Sequence, residues 1–136
     1  MRRLGFLALL CMGCSGSDEG EACDLAHREG TYLLVSKERP NGSCGPIVDQ
    51  VVRVDNVGAL PPGCTKDAPD DASPDRCEYS RSYTCALTDG GAVSFVGTTT
   101  EHDGGDRITG VSTMVVVDAN GMFVCTSAYD LTFTRQ

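Results

Sequence analysis

The stretch from Phe123 to Thr134 alternates so regularly that it restricts the chain to one kind of local structure. Phe123, Cys125, Tyr129, Leu131 and Phe133 occupy odd positions, while the even ones carry mostly Thr, Ala and Asp. Successive side chains of an extended strand point to opposite faces, so this segment is a half-buried β-strand with its odd set inward. Cys77 to Leu87 repeats the pattern, with Cys77, Tyr79, Tyr83, Cys85 and Leu87 on one face and Glu78, Ser80, Ser82 and Thr84 on the other. Arg81 interrupts the inward set and predicts a rim position or a charge partner there. Between the two segments lie Ala92 to Thr100 and Arg107 to Asp118, both rich in β-branched residues. The joins are Asp89-Gly90-Gly91, His102 to Asp106 and Asp118 to Gly121. They hold the Gly, Asn and Asp that tight hairpins need for positive φ. The second half therefore reads as a four-strand antiparallel meander.

Upstream, Thr31 to Glu38 and Ile47 to Asp55 make two more strands, joined through Pro40 to Pro46. Helical periodicity is confined to a short turn around Glu21 to Arg28. Six or more antiparallel strands with no covering helix must close on themselves or stack as two sheets. The expected fold is all-β: an up-and-down meander closing as a small barrel that resembles the lipocalins, or a β-sandwich. Short sequential connections favour the barrel. Gly58 to Arg76 stands apart, with Pro-containing turns, four Asp and no strand pattern, and reads as a long loop.

At the start of the chain, Arg2 and Arg3 precede an apolar run from Leu4 to Met12. Spanning a bilayer takes roughly 20 apolar residues, so this run is too short and fits the core of a secretory signal instead. Leu10-Cys11-Met12-Gly13-Cys14 resembles the lipobox of bacterial lipoproteins, although Cys11 and Met12 stand where small or aliphatic residues are commoner. The resemblance covers only this segment. It implies cleavage before Cys14, acylation of that cysteine by palmitate or a similar chain, and a lipid anchor in the cell envelope. Ser15, where an Asp would imply inner-membrane retention, favours the outer membrane. On this reading residues 1–13 are the signal peptide, 14–22 a flexible tether rich in Ser, Gly and acid, and 23–136 a single domain.

The chain has 8 cysteines. With Cys11 removed and Cys14 acylated, Cys23, Cys44, Cys64, Cys77, Cys85 and Cys125 remain. An even set is what a disulfide framework in an oxidising compartment requires. No C-x-x-C pair lies beyond the signal, which argues against zinc. Connectivity stays open, but a Cys64–Cys77 bridge would pinch the long loop, and Cys85 and Cys125 can meet across the core from inward faces.

Without Arg2 and Arg3 the 11 basic residues fall to nine against 19 acidic ones, a net charge of about −10. Such a surface repels nucleic acid, so none is expected as a partner. Only 6% of residues are aromatic and Trp is absent. That predicts a modest core helped by disulfides of about 2–4 kcal/mol each, and counts against a roomy apolar cavity.

Chemical motifs are sparse. His102 beside Asp103 and Asp106 has the composition of a base with its orienter, but these residues read better as a solvated loop tip. Gly110-Val111-Ser112-Thr113-Met114 lacks the final Gly of a nucleophile elbow. Asp67, Asp70, Asp71 and Asp75 are spaced too loosely for a calcium loop, and Asp103 with Asp106 has only Glu101 in support. Asn41-Gly42-Ser43 matches a glycosylation sequon, and a hairpin turn explains it. No catalytic residue, metal site or cofactor is expected, and the chain is not read as an enzyme.

Tyr83-Thr84-Cys85, followed by Asp89-Gly90-Gly91 and Val93-Ser94-Phe95, is similar to a stretch of the lipoprotein inhibitors of C-type lysozyme. An ordinary strand–turn–strand hairpin accounts for the same dozen residues and is the preferred reading. The resemblance implies a small anchored barrel whose acidic surface meets a basic hydrolase. The function expected from sequence is thus a membrane-anchored, non-enzymatic binding or protein-interaction module. The alternatives are a periplasmic inhibitor of a basic hydrolase and a carrier of a small apolar ligand in a barrel pocket.

Overall fold

The computed structural model describes residues 23–136. The expected signal peptide (1–13), tether (14–22) and lipid-bearing Cys14 lie outside the described residues. Eight strands form one antiparallel sheet: β1 (Gly30–Glu38), β2 (Gln50–Val54), β3 (Cys64–Lys66), β4 (Asp71–Ser73), β5 (Glu78–Ala86), β6 (Ala92–His102), β7 (Arg107–Val117) and β8 (Phe123–Arg135). Their spatial order is β2-β1-β8-β7-β6-β5-β3, with β4 also pairing β5. The all-β antiparallel meander expected from the sequence is present, curled as a half-barrel. A short 3-10 turn, Leu25–Arg28, precedes it, with the Asp24 side chain accepting from the Ala26 amide at 3.0 Å.

Register makes the faces readable. Tyr79 lies opposite Thr99, Thr99 opposite Gly110, Gly110 opposite Leu131 and Leu131 opposite Ser36. Directly opposed residues share a face, so the odd residues of β5, β6 and β8 line the concave side together with the even residues of β7 and β1. Tyr32 and Tyr129, 0% and 1% exposed, are its most buried side chains. Each buried hydroxyl reaches a loop: Tyr32 donates to the Gly105 carbonyl at 2.9 Å, Tyr129 to the Gly45 carbonyl at 2.7 Å. Two large apolar bodies thus anchor both ends of the half-barrel without leaving a polar atom unpaired.

Several sequence expectations are corrected. Phe123 belongs to the odd set expected inward, yet it is 63% exposed. A register shift between Val116 and Val117 pairs Val116 with Cys125 but Val117 with Phe123, leaving Val124 as an extra residue. One inserted residue inverts the alternation, so Phe123 falls on the opposite side from Cys125. Leu87, also placed inward, lies just past the end of β5 and is exposed. The segment Gly58 to Arg76 is not wholly loop, because β3 and β4 lie along the outer edge of β5. At three residues each they are too short to display a period.

The disulfides join Cys23 to Cys77, Cys44 to Cys125 and Cys64 to Cys85. The expected Cys64–Cys77 bridge does not form, because pairing of β3 with β5 sets Cys64 directly opposite Cys85, with Cα atoms 3.9 Å apart. Cys85 and Cys125 do not meet either. β6 and β7 stand between their strands, and three strand spacings of about 4.8 Å far exceed the reach of a disulfide. Cys77 instead takes the left-handed position ending the 3-10 turn Pro74–Arg76 and ties down the start of the described chain.

Candidate ligand-binding cavity

Across the concave face, the strand register sets Arg81 opposite Gly97 and Gly97 opposite Ser112, while Gly110 sits between Thr99 and Leu131. These small residues run between rows of large ones, and a hollow of about 240 Å³ opens above them. A side chain at Gly97 would press on the Val111 carbonyl at 2.9 Å, so glycine is required by the close approach of β6 and β7 as well as leaving space. Five aromatic rings surround the hollow: Tyr32, Tyr79, Tyr83, Phe95 and Phe133. Tyr83 and Phe95, opposed on neighbouring strands, stack with centroids 5.1 Å apart. Tyr32 and Phe133 meet edge to face at 6.2 Å.

The chain leaving β2 crosses the open side of the half-barrel. Val57 lines the hollow, and its carbonyl accepts from the Tyr79 hydroxyl at 3.4 Å. Arg81 Nη2 donates to the Ala59 carbonyl at 3.1 Å and the Gly58 carbonyl at 3.5 Å. The gap between the strand edges is therefore spanned by side chains of β5 holding backbone of the β2–β3 connection.

Two guanidiniums share this wall. Arg28, delivered by the Leu25–Arg28 turn, is buried. It donates through Nη1 to Thr99 Oγ1 at 2.6 Å and through Nη2 to the Cys77 carbonyl at 2.7 Å. Its Nε stands 3.7 Å from Glu101 Oε2, and its charge lies 5.5 Å from the centre of the Tyr79 ring. Burial holds the Arg28 pKa below its usual value, against the opposing pull of Glu101. Arg81 lies over Tyr79 and Tyr83 at 5.7 and 5.6 Å, with Asp70 Oδ2 3.5 Å from its Nε. Of the rim position or charge partner expected for Arg81, the structure provides the partner, Asp70, which also accepts from Lys66 at 2.9 Å and from the Tyr79 hydroxyl. Burial pushes Asp70 up, but these two hydrogen bonds and the charge of Arg81 outweigh it and hold the carboxyl below its ordinary range. Burial, and then the hydrogen bond to Asp70, push the Tyr79 hydroxyl up to about 12. The result is an aromatic cup with two cations in its wall and both compensating carboxylates outside the lining.

A second hollow, about 280 Å³, lies beside the Cys23–Cys77 bridge and includes His27, Glu101, His102 and Asp103. His27 Nδ1 is 3.2 Å from Glu101 Oε1, while His102 Nε2 is 2.8 Å from Thr109 Oγ1. The two histidines are thus engaged with different partners, and Asp103 faces Arg107 at 3.8 Å. No His, Cys, Asp or Glu cluster among the described residues has the convergence of a metal site. The acidic set of the long loop is dispersed: Asp67 accepts from Thr84, and Asp70 turns inward to Tyr79.

Of the residues named from sequence, Cys23, Cys44, Cys64, Cys77, Cys85 and Cys125 are all paired, and none lines the aromatic cup. Nothing in the sequence marks Arg28 or the Val57–Ala59 crossing, and Asp70 is legible there only as one of four loosely spaced loop carboxylates. The interruption at Arg81 signals a rim position or a charge partner, and the structure supplies the partner. The chain matches no protein family, no curated protein and no solved structure.

Proposed function

We propose that the chain is a non-enzymatic binding module, lipid-anchored in the cell envelope through Cys14, that holds a small apolar molecule in the concave face of its half-barrel. The observation supporting this reading is the concentration of aromatic surface. The whole chain has four Tyr and four Phe, and five of these eight rings surround one hollow of about 240 Å³. A mostly apolar, aromatic lining with a few convergent polar groups is what a ligand pocket needs, and the volume lies just under the roughly 300–1,000 Å³ usual for drug-sized ligands. The occupant is accordingly small.

The test uses N-phenyl-1-naphthylamine, an uncharged probe that brightens in apolar surroundings. Its fluorescence should saturate at one probe per chain and be lost in Ser112→Phe, which fills the hollow from the middle of β7. Equal saturable binding by Ser112→Phe and the parent protein would move the site elsewhere, and no saturable binding by the parent would remove the reading.

A further inference from the structure

The charge of the cavity is opposite to that of the molecule. The chain carries 19 acidic against 11 basic residues, yet among the described residues Arg28 and Arg81 are the only charged groups in the cavity lining. The two cations are not equivalent. Arg28 has both terminal nitrogens committed to Thr99 and Cys77. Arg81 donates only through Nη2 among the described residues: its Nε faces Asp70 Oδ2 at 3.5 Å without a hydrogen bond, and its Nη1 has no acceptor there. A guanidinium offers five N–H donors in a planar fork suited to a carboxylate. A donor left unmet away from water is unfavourable, more so when the group is charged. Across the hollow, Ser112 belongs to the lining, and its hydroxyl supplies a further donor.

We propose that the cavity takes a small apolar carboxylic acid, with its ring or acyl chain in the aromatic cup and its carboxylate on Arg81. This rests on the cavity being a ligand site, as proposed above, and specifies its ligand. A single negative charge suits the site because Asp70 already offsets part of the Arg81 charge, and Arg28 has its own carboxylate in Glu101. The selectivity runs against the protein's overall field, so it depends on this one guanidinium rather than on long-range attraction.

The test compares 4-phenylbutyrate with 4-phenyl-1-butanol, which share ring and chain and differ in the head group, by isothermal titration at neutral pH. The acid should bind about tenfold or more tightly than the alcohol, as a charge-assisted hydrogen bond requires. That ratio should fall towards one in Arg81→Gln and take an intermediate value in Arg81→Lys, which keeps the charge but not the fork. Equal binding of acid and alcohol by the parent protein, or a ratio that survives Arg81→Gln, would overturn the head-group assignment while leaving the cavity reading intact. Binding of neither compound would overturn both. The comparison within the parent protein stands even where a variant does not fold.

Discussion

Tyr79, Arg81 and Tyr83 alternate along β5 with Ser80, Ser82 and Thr84, and the two sets face opposite sides of the same sheet. On the concave side, rings and guanidiniums pack together, each cation facing a carboxylate 3.5 or 3.7 Å away. On the convex side, hydroxyls pair across strands, Ser80 with Thr98 at 2.7 Å and Thr84 with Ser94 at 2.9 Å. The convex ion pair, Arg39 with Asp130 at 2.7 Å, has both side chains about half exposed. Identical backbone therefore carries two energetic regimes. A charge in water tolerates the loss of its partner, whereas a buried charge does not. The same contrast is why the proposed ligand site lies on the concave face and not on the convex one.

The contrast can be attacked at several points. Replacing both Cys44 and Cys125 with Ser should cost about 4–5 kcal/mol, from the chain-entropy cost of a loop this long. Because that bridge lies outside the cavity lining, folded protein should still bind the neutral probe; denaturant unfolding and fluorescence titration read the two effects separately. Arg28→Met should cost about 3–5 kcal/mol, since it leaves the Glu101 side chain, 2% exposed, without its guanidinium. Adding Glu101→Gln should recover part of that loss in the same urea titration.

A smaller effect is expected at alkaline pH. The folded value of Tyr79 lies near 12 against an ordinary 10.0, so the fold favours the protonated hydroxyl. That contribution is fully present below about pH 10 and is lost as pH rises through 12, amounting to about 2 kcal/mol. Tyr79→Phe should flatten the stability profile over this window, and an unchanged profile would show that the hydroxyl is not held by Asp70. On the convex side, Thr98→Ala and Arg39→Gln should each shift stability by less than about 1 kcal/mol. A loss of several kcal/mol from either would erase the difference between the faces.

Much of this architecture is written in the period of the sequence. The alternation of Tyr79 to Cys85 and of Cys125 to Phe133 marks the concave face directly, and Gly-rich joins mark the hairpins. What escapes is whatever depends on phase or distance. The bulge beside Val117 flips Phe123 without changing composition. Cys64 and Cys85 become neighbours only through the register of a three-residue strand. Arg28 sits on a turn with no periodic signal and finds Glu101 and Thr99 more than seventy residues away. A low aromatic total argues against a roomy cavity, and the hollow is small, but where the rings gather is not legible in a total. Arg81 is the exception: a cation interrupting an aromatic face needs a rim position or a charge partner, and the sequence shows that need without identifying Asp70.

The central claim is that recognition belongs to the concave face, and a carbon-detected NMR titration of protein labelled at Tyr, Phe and Thr with 4-phenylbutyrate tests it most directly. The account predicts saturable shifts at Tyr79, Tyr83, Phe95 and Phe133, with the convex methyls of Thr98, Thr113 and Thr132 unmoved. Shifts confined to those threonines, or no shifts at any ring, would contradict it.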